Sequence, residues 1–220
     1  MNCYIVNKIN VPISINAIWN KPVWQNIESL IISNNNNWKS CWKPHTEVKS
    51  CYDDKNLYLI FYVKDQFVKC ETNKHNGPVW EDSCVEFFFS PGSADSRTYF
   101  NIEINCCGFA YMAFQRDPKI DYDLFSIEDI EASKINYSLK RSVINEIKSP
   151  QEWVIEYKLP FDILNKYFRF QYPEKGAIWR GNFFKCAENN SQPHWLSWTN
   201  INNPIPDFHL PQYMGKLKFN

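Results

Sequence analysis

"TYFNIEINC", residues 98–106, alternates with a period of two, and its reading decides the fold. Phe100, Ile102, Ile104 and Cys106 fall on one face of an extended chain, while Tyr99, Asn101, Glu103 and Asn105 share the other. The period recurs in "LYLIFYVKD" (57–65), where Leu57, Leu59, Phe61 and Val63 alternate with Tyr58, Ile60 and Tyr62, so both faces are expected to be covered. "EVKSCY" before it reads as a partner strand, and "DDKN" between them supplies the turn of a hairpin. "CVEFFFS" (84–90) closes at Pro91-Gly92, and Gly108 turns the chain into "FAYMAF" (109–114). Further strands are expected in "INYSLKRSV", "EWVIEYKL", "IWRGNFFKCA" and "MGKLKF", with another ending near Trp198. Helix signals are confined to "PFDILNKYF" (160–168) and a turn or two around "PVWQNIESL" (22–30). The expectation is an all-β, single-domain β-sandwich over residues 1–220, jelly-roll-like or immunoglobulin-like, with one or two short helices. "SNNNN" (33–37) reads as a loop insertion.

Charge narrows the partners. Lys plus Arg and Asp plus Glu number 24 each, so no net field points to nucleic acid or an anionic membrane. No run approaches the roughly 20 apolar residues of a membrane span. Aromatic residues make up 17 % of the chain, which suits both a packed sandwich core and an aromatic-lined recognition surface. The start, "MNCYIVNKINVPISI", shows no basic and then apolar leader pattern. The eight cysteines form no CxxC pair, and adjacent Cys106 and Cys107 are expected to point to opposite faces of a strand. They read as reduced, core-filling thiols, which leans towards a cytoplasmic location. A secreted or periplasmic location stays open, and the oligomeric state is not specified.

The chemistry concentrates in "GPVWEDSCVEFFFSPG" (77–92), where Trp80, Glu81 and Asp82 precede Glu86 and three phenylalanines. Glu81 and Asp82 read as turn or surface residues. Glu86 and Glu103, on different strands, could flank a glycosidic bond as a hydrolase needs, but acidic residues on a solvated strand face explain them more simply. His45, His75, His194 and His209 are scattered, and no HExxH, G-x-S-x-G or phosphate-cradling glycine loop appears. "SWTNINNPIPDFHLPQYMG" (197–215) is a loop stiffened by Pro204, Pro206 and Pro211 that presents Phe208 and His209. Taken alone, Phe208 reads as a plug over the core.

In chain order, "NAIWNKPVW", "VWEDSCVEFFFSP", "YFNIEINCCG", "EWVIEYKLPFDIL", "NFFKC" and "LSW…PDFHLPQYMGKLKF" resemble the family 9 carbohydrate-binding module, and more closely its stand-alone relatives. Asn16 and Ala17 stand where the family's opening motif has Asp and Gly. The resemblance implies a β-sandwich that holds the end of a sugar chain, a mono- or oligosaccharide, between two aromatic rings without catalysis. Such domains keep company with plant-polysaccharide hydrolases such as xylanases. Carried onto this chain, the first ring is Trp80, with Glu86 a hydroxyl acceptor. Phe208 stands where the family has a tryptophan, and Asn101 and Glu103 where it has an arginine and an asparagine. The resemblance also implies structural calcium, with no ligand assigned. The wider superfamily includes haem binders, for which Met112 and His209 would be the ligands.

Overall fold

The computed structural model describes residues 2–40, 42–92, 97–139 and 145–220. Cys41 and the latter half of "INYSLKRSV" lie outside the described residues. In chain order the elements are β1 (Cys3–Lys8), α1 (Pro22–Gln25), β2 (Leu30–Ile31), β3 (His45–Tyr52), β4 (Asn56–Asp65), β5 (Cys84–Ser90), β6 (Tyr99–Asn105), β7 (Ala110–Asp117), β8 (Asp121–Leu124), α2 (Ile127–Ala132), β9 (Asn136–Tyr137), β10 (Gln151–Pro160), α3 (Phe161–Tyr167), β11 (Ile178–Ala187), β12 (His194–Ser197) and β13 (Gly215–Phe219).

The strands pair in the order β8-β7-β6-β5-β11-β13-β1-β3-β4-β10-β9, with β12 on β11 and β2 on β3. Strand β1 joins the two layers of this sandwich. Its residues 3–6 run parallel to β13, while Asn7 and Lys8 pair with β3. Between the layers Phe61 of β4 meets Phe183 of β11, ring centroids 6.3 Å apart. The inward sets Leu57, Leu59, Phe61, Val63 and Phe100, Ile102, Ile104 pack in this main core. Tyr58 and Ile60, on the outer face of β4, pack with Trp24 in a separate cluster. The β3–β4 hairpin closes on Asp53, whose Oδ1 accepts the amides of Lys55 and Asn56 at 2.8 and 2.7 Å.

The N-terminal motif proves to be a staple for the fold. Buried Glu156 of β10 accepts the amides of Asn16 and Ala17 and the Trp24 indole N–H, all at 2.8 Å, and pairs with Lys21 at 2.5 Å. Ala17 has φ +55°, a backbone conformation that favours glycine.

Several expectations change. Among the described residues there are three short α-helices rather than one or two. The unforeseen α2 starts at a Ser126 cap that accepts from Asp129 N at 3.2 Å, and buries few apolar groups, so its periodicity is weak. "SNNNN" is no mere insertion. Asn34 bridges to Ser197, and buried Asn36 accepts from Ile201 N at 2.7 Å while donating to Ser197 Oγ at 2.9 Å. Cys106 and Cys107 lie in the β6–β7 turn, not on a strand, and both turn into the core. Six described cysteines are buried as expected, while Cys3 is exposed.

Candidate functional site

Strands β5, β6, β7 and β11 turn their outer faces towards loops instead of the opposite layer. Antiparallel register sets Phe184, Glu86, Glu103 and Tyr111 side by side across four strands. Above this row opens a cavity of about 370 Å³, within the range of ordinary ligand pockets. Trp80, Glu86, Glu103, Tyr111, Gln115, Glu188, Trp195 and Phe208 are among its lining residues.

Each wall has a local cause. Trp80 lies in a single 3₁₀ turn, Val79–Glu81, that enters β5, and its half-buried ring meets Tyr111 edge-on at 5.5 Å. Trp195 projects from β12, its indole N–H donating to Glu188 Oε1 at 2.9 Å. Phe208 comes from the Pro-rich loop and stacks on Phe184 at 4.2 Å, with Trp38 at 5.9 Å. His209 beside it packs on Phe88 and shares a 2.6 Å hydrogen bond with the Tyr99 hydroxyl. Burial, then nearby Lys119, lowers the His209 ring to about 4, so it stays neutral around pH 7.

Glu86 is 2 % exposed and Glu103 3 %, which overturns the reading of a solvated strand face. The Cys186 thiol donates to Glu86 Oε1 at 2.9 Å, and Asn101 Nδ2 donates to Glu103 Oε1 at 2.9 Å. Gln115 Nε2 in turn donates to Asn101 Oδ1 at 3.0 Å. Burial foremost, then neighbouring Cys186 and Glu103, pushes Glu86 well above the carboxylate range. Burial pushes Glu103 up to about 8 against the opposing pull of the Asn101 amide. At neutral pH each group can therefore be a carboxylic acid, carrying both a donor and an acceptor.

The structure thus brings Trp80, Glu86, Glu103 and Phe208 to one cavity. Asn101 is fully buried beneath it, between Glu103 and Gln115. Of the three phenylalanines, Phe87 and Phe89 are main core, whereas Phe88 faces the cavity side with Tyr99 and Phe184. Sequence reasoning missed Tyr111, Gln115, Glu188 and Trp195. The β6–β7 alternation could have found Tyr111, because it shares the face of Glu103; Trp195 and Glu188 had no comparable signal.

Other expectations are corrected. Asp82 is a buried brace rather than a surface residue. Its Oδ1 accepts Glu71 N at 2.8 Å, and its Oδ2 accepts Thr72 N at 3.0 Å and Asn105 Nδ2 at 2.9 Å. Among the described residues, the groups of three or more metal-ligating side chains are Cys70–Cys106–Cys107 and Cys84–Glu86–Cys186, neither an oxygen cage for calcium. Met112 lies in the main core and His209 against the outer cluster, on opposite sides of the sheet, so they cannot clasp one haem iron. No helix of the described residues is long and apolar enough to cross a membrane.

Comparison with known proteins places this geometry. A family model described as "Carbohydrate-binding family 9" matches residues 17–219. An "Extracellular protein" of the fungus Arthroderma benhamiae is 26 % identical over 187 residues, which are 80 % of this chain and 79 % of that one. A solved structure of a candidate carbohydrate-binding protein from Bacteroides uniformis superposes with a TM-score of 0.87 at 27 % identity, covering 99 % of each chain. A family 9 carbohydrate-binding module from Caldicellulosiruptor kristjanssonii, solved with cellotriose, shares the fold with a TM-score of 0.63 at 15 % identity, over 99 % of this chain and 93 % of that one. Its glucose complex gives the same TM-score and identity.

Proposed function

The chain belongs to carbohydrate-binding family 9, and from that premise we propose that it holds a mono- or oligosaccharide, without cleaving it, in the cavity beside Trp80. The carrying observation is the juxtaposition of a half-exposed tryptophan ring with two buried carboxyl groups on neighbouring strands. A sugar presents a C–H face that packs on an aromatic ring and a hydroxyl edge that needs directional partners. Glu86 and Glu103 supply those partners. As neutral acids each can give a hydrogen bond to one hydroxyl and accept one from another. Asn101 orients Glu103 from below and does not reach the sugar. Trp195, with its ring held by Glu188, forms a further aromatic wall, while Phe208 serves as floor.

The same electrostatics speak against turnover. Glycoside hydrolysis needs one ionised carboxylate opposite one protonated acid. Here burial raises both groups of the pair towards the neutral form, which favours hydroxyl recognition over the split ionisation that hydrolysis uses. The polysaccharide context of such domains fits a binding role.

The test is calorimetric titration with glucose, cellobiose, xylobiose and galactose, with Trp80→Ala as control. We expect saturable binding to at least one sugar, weakened at least tenfold by Trp80→Ala, about 1.4 kcal/mol, with circular dichroism unchanged. Unchanged affinity in a folded Trp80→Ala protein would remove the cavity from the reading, and release of reducing sugar lost in Glu86→Gln would replace binding with catalysis.

A further inference from the structure

A second chemistry lies just past the C-terminal end of β6, on the core side of the sheet and across it from the carboxyl pair. We propose that Cys70, Cys106 and Cys107 form a site for a single thiophilic cation, with copper(I) the ion that suits it. Cys70 lies in the segment after β4, and the other two in the β6–β7 turn. Their three sulfurs all lie within 4.8 Å of one another, and all three residues are buried in the main core. A metal–sulfur bond of about 2.3 Å on a three-coordinate centre sets sulfurs about 4 Å apart, so small side-chain rotations suffice to close the site.

The gathering depends on the turn. Adjacent cysteines on a strand would diverge, but here Gly108, at φ +83°, closes the turn with its amide on Asn105 O at 2.9 Å. Both thiols then reach the same side. The two segments are also fastened before any ion arrives. Ser83 N donates to Lys69 O at 2.9 Å and Cys106 N to Ser83 O at 2.8 Å. Asp82 ties the Glu71 and Thr72 amides to the Asn105 side chain, and Cys107 N donates to Asn105 Oδ1 at 3.2 Å. A site held this way needs little reorganisation on binding.

Donor type selects the ion. Three sulfurs with no histidine or carboxylate in the group favour a soft metal over calcium or magnesium. Structural zinc takes four protein ligands, and Asp82, the nearby carboxylate, is occupied by its three hydrogen bonds. Copper(I) is satisfied by two or three sulfurs in a dry pocket. Each thiolate bond releases one proton to solvent and no electron moves. The bound ion would fasten the segment leading to Trp80 onto the turn that joins β6 and β7.

The experiment titrates the reduced full chain anaerobically with copper(I) held by a competing chelator, with zinc(II) in parallel. One equivalent of copper(I), an ultraviolet sulfur-to-copper charge-transfer band, and protection of the three thiols from alkylation are expected. Cys106→Ser should weaken copper(I) binding at least a hundredfold, whereas Cys84→Ser, in the other thiol group, should not. Should Cys106→Ser fail to fold, Cys70→Ala carries the same comparison. Full-strength copper(I) binding in folded Cys106→Ser or Cys70→Ala would overturn the proposal. So would a preference for zinc(II), or a disulfide among the three cysteines that resists reductant.

Discussion

On the inner face of β5 and β6, Phe87, Phe89, Phe100, Ile102 and Ile104 pack without a polar atom between them. On the outer face of the same strands, Glu86, Phe88, Tyr99, Asn101, Glu103 and Asn105 are just as deeply buried. The inner face meets the opposite layer of the sandwich, so its residues serve packing alone. The outer face is roofed by the 3₁₀ turn at Trp80, by β12 and by the Pro-rich loop, and beneath that roof a cavity remains. Burying acids there costs stability and drives them neutral. In this layer Asn101 and Asn105 are bonded within the chain, while Glu86 and Glu103 line the cavity. Equal burial therefore does not mean equal purpose.

The contrast can be broken first by cavity formation. Phe87 stacks on Phe89 at 4.6 Å and on Phe183 at 4.8 Å, so Phe87→Ala should cost about 3–5 kcal/mol in urea denaturation. A loss below about 1 kcal/mol would mean that the inner face is not the close-packed one. The next test is Phe208→Trp. With Phe208 only 9 % exposed and stacked on Phe184, the larger ring should overpack and cost about 1–3 kcal/mol. Tighter sugar binding at unchanged stability would instead make Phe208 a wall of the cavity and not its floor.

The smallest effect is read against pH. Folded Glu103 keeps its proton up to about 8, whereas the unfolded carboxyl loses it above its ordinary 4.5. The folded chain binds more protons across that window, so this contribution to stability falls as pH rises. From pH 6.5 to 8 its slope should reach no more than about 1.4 kcal/mol per unit, and Glu103→Gln should flatten it. Below 6.5 the buried His209 ring, lowered to about 4, acts with the opposite sign, because only the unfolded chain gains that proton readily. An unchanged slope in Glu103→Gln would return Glu103 to an ordinary ionised residue.

Much of this was legible. Strands β5 and β11 begin and end where their runs of apolar and aromatic residues do, and the two-sided pattern of β4 foretold that both its faces are covered. Period-two alternation is local, so one strand suffices to show it. Trp80, Glu86, Glu103 and Phe208 could be named because ordered motifs resemble a family. Tyr111 was within reach of the β6–β7 alternation, but Trp195 and Glu188 were not, because they come from a short strand and a loop whose spacing carries no motif. Asn36 and Asp82 misled for a related reason: polar residues in a loop look solvated until the groups they bond, Ile201 and Asn105, are known.

The sequence by itself determined the sandwich, its alternating faces and the stretch around Trp80, because side-chain period and turn chemistry act over a few residues. Only the tertiary structure decided that the outer face is buried, that two glutamates oppose each other where burial favours their neutral forms, and that Cys70 joins Cys106 and Cys107. Those facts depend on register between distant strands and on exclusion of water by loops far away in the chain. Burial and electrostatic coupling are properties of that assembled neighbourhood.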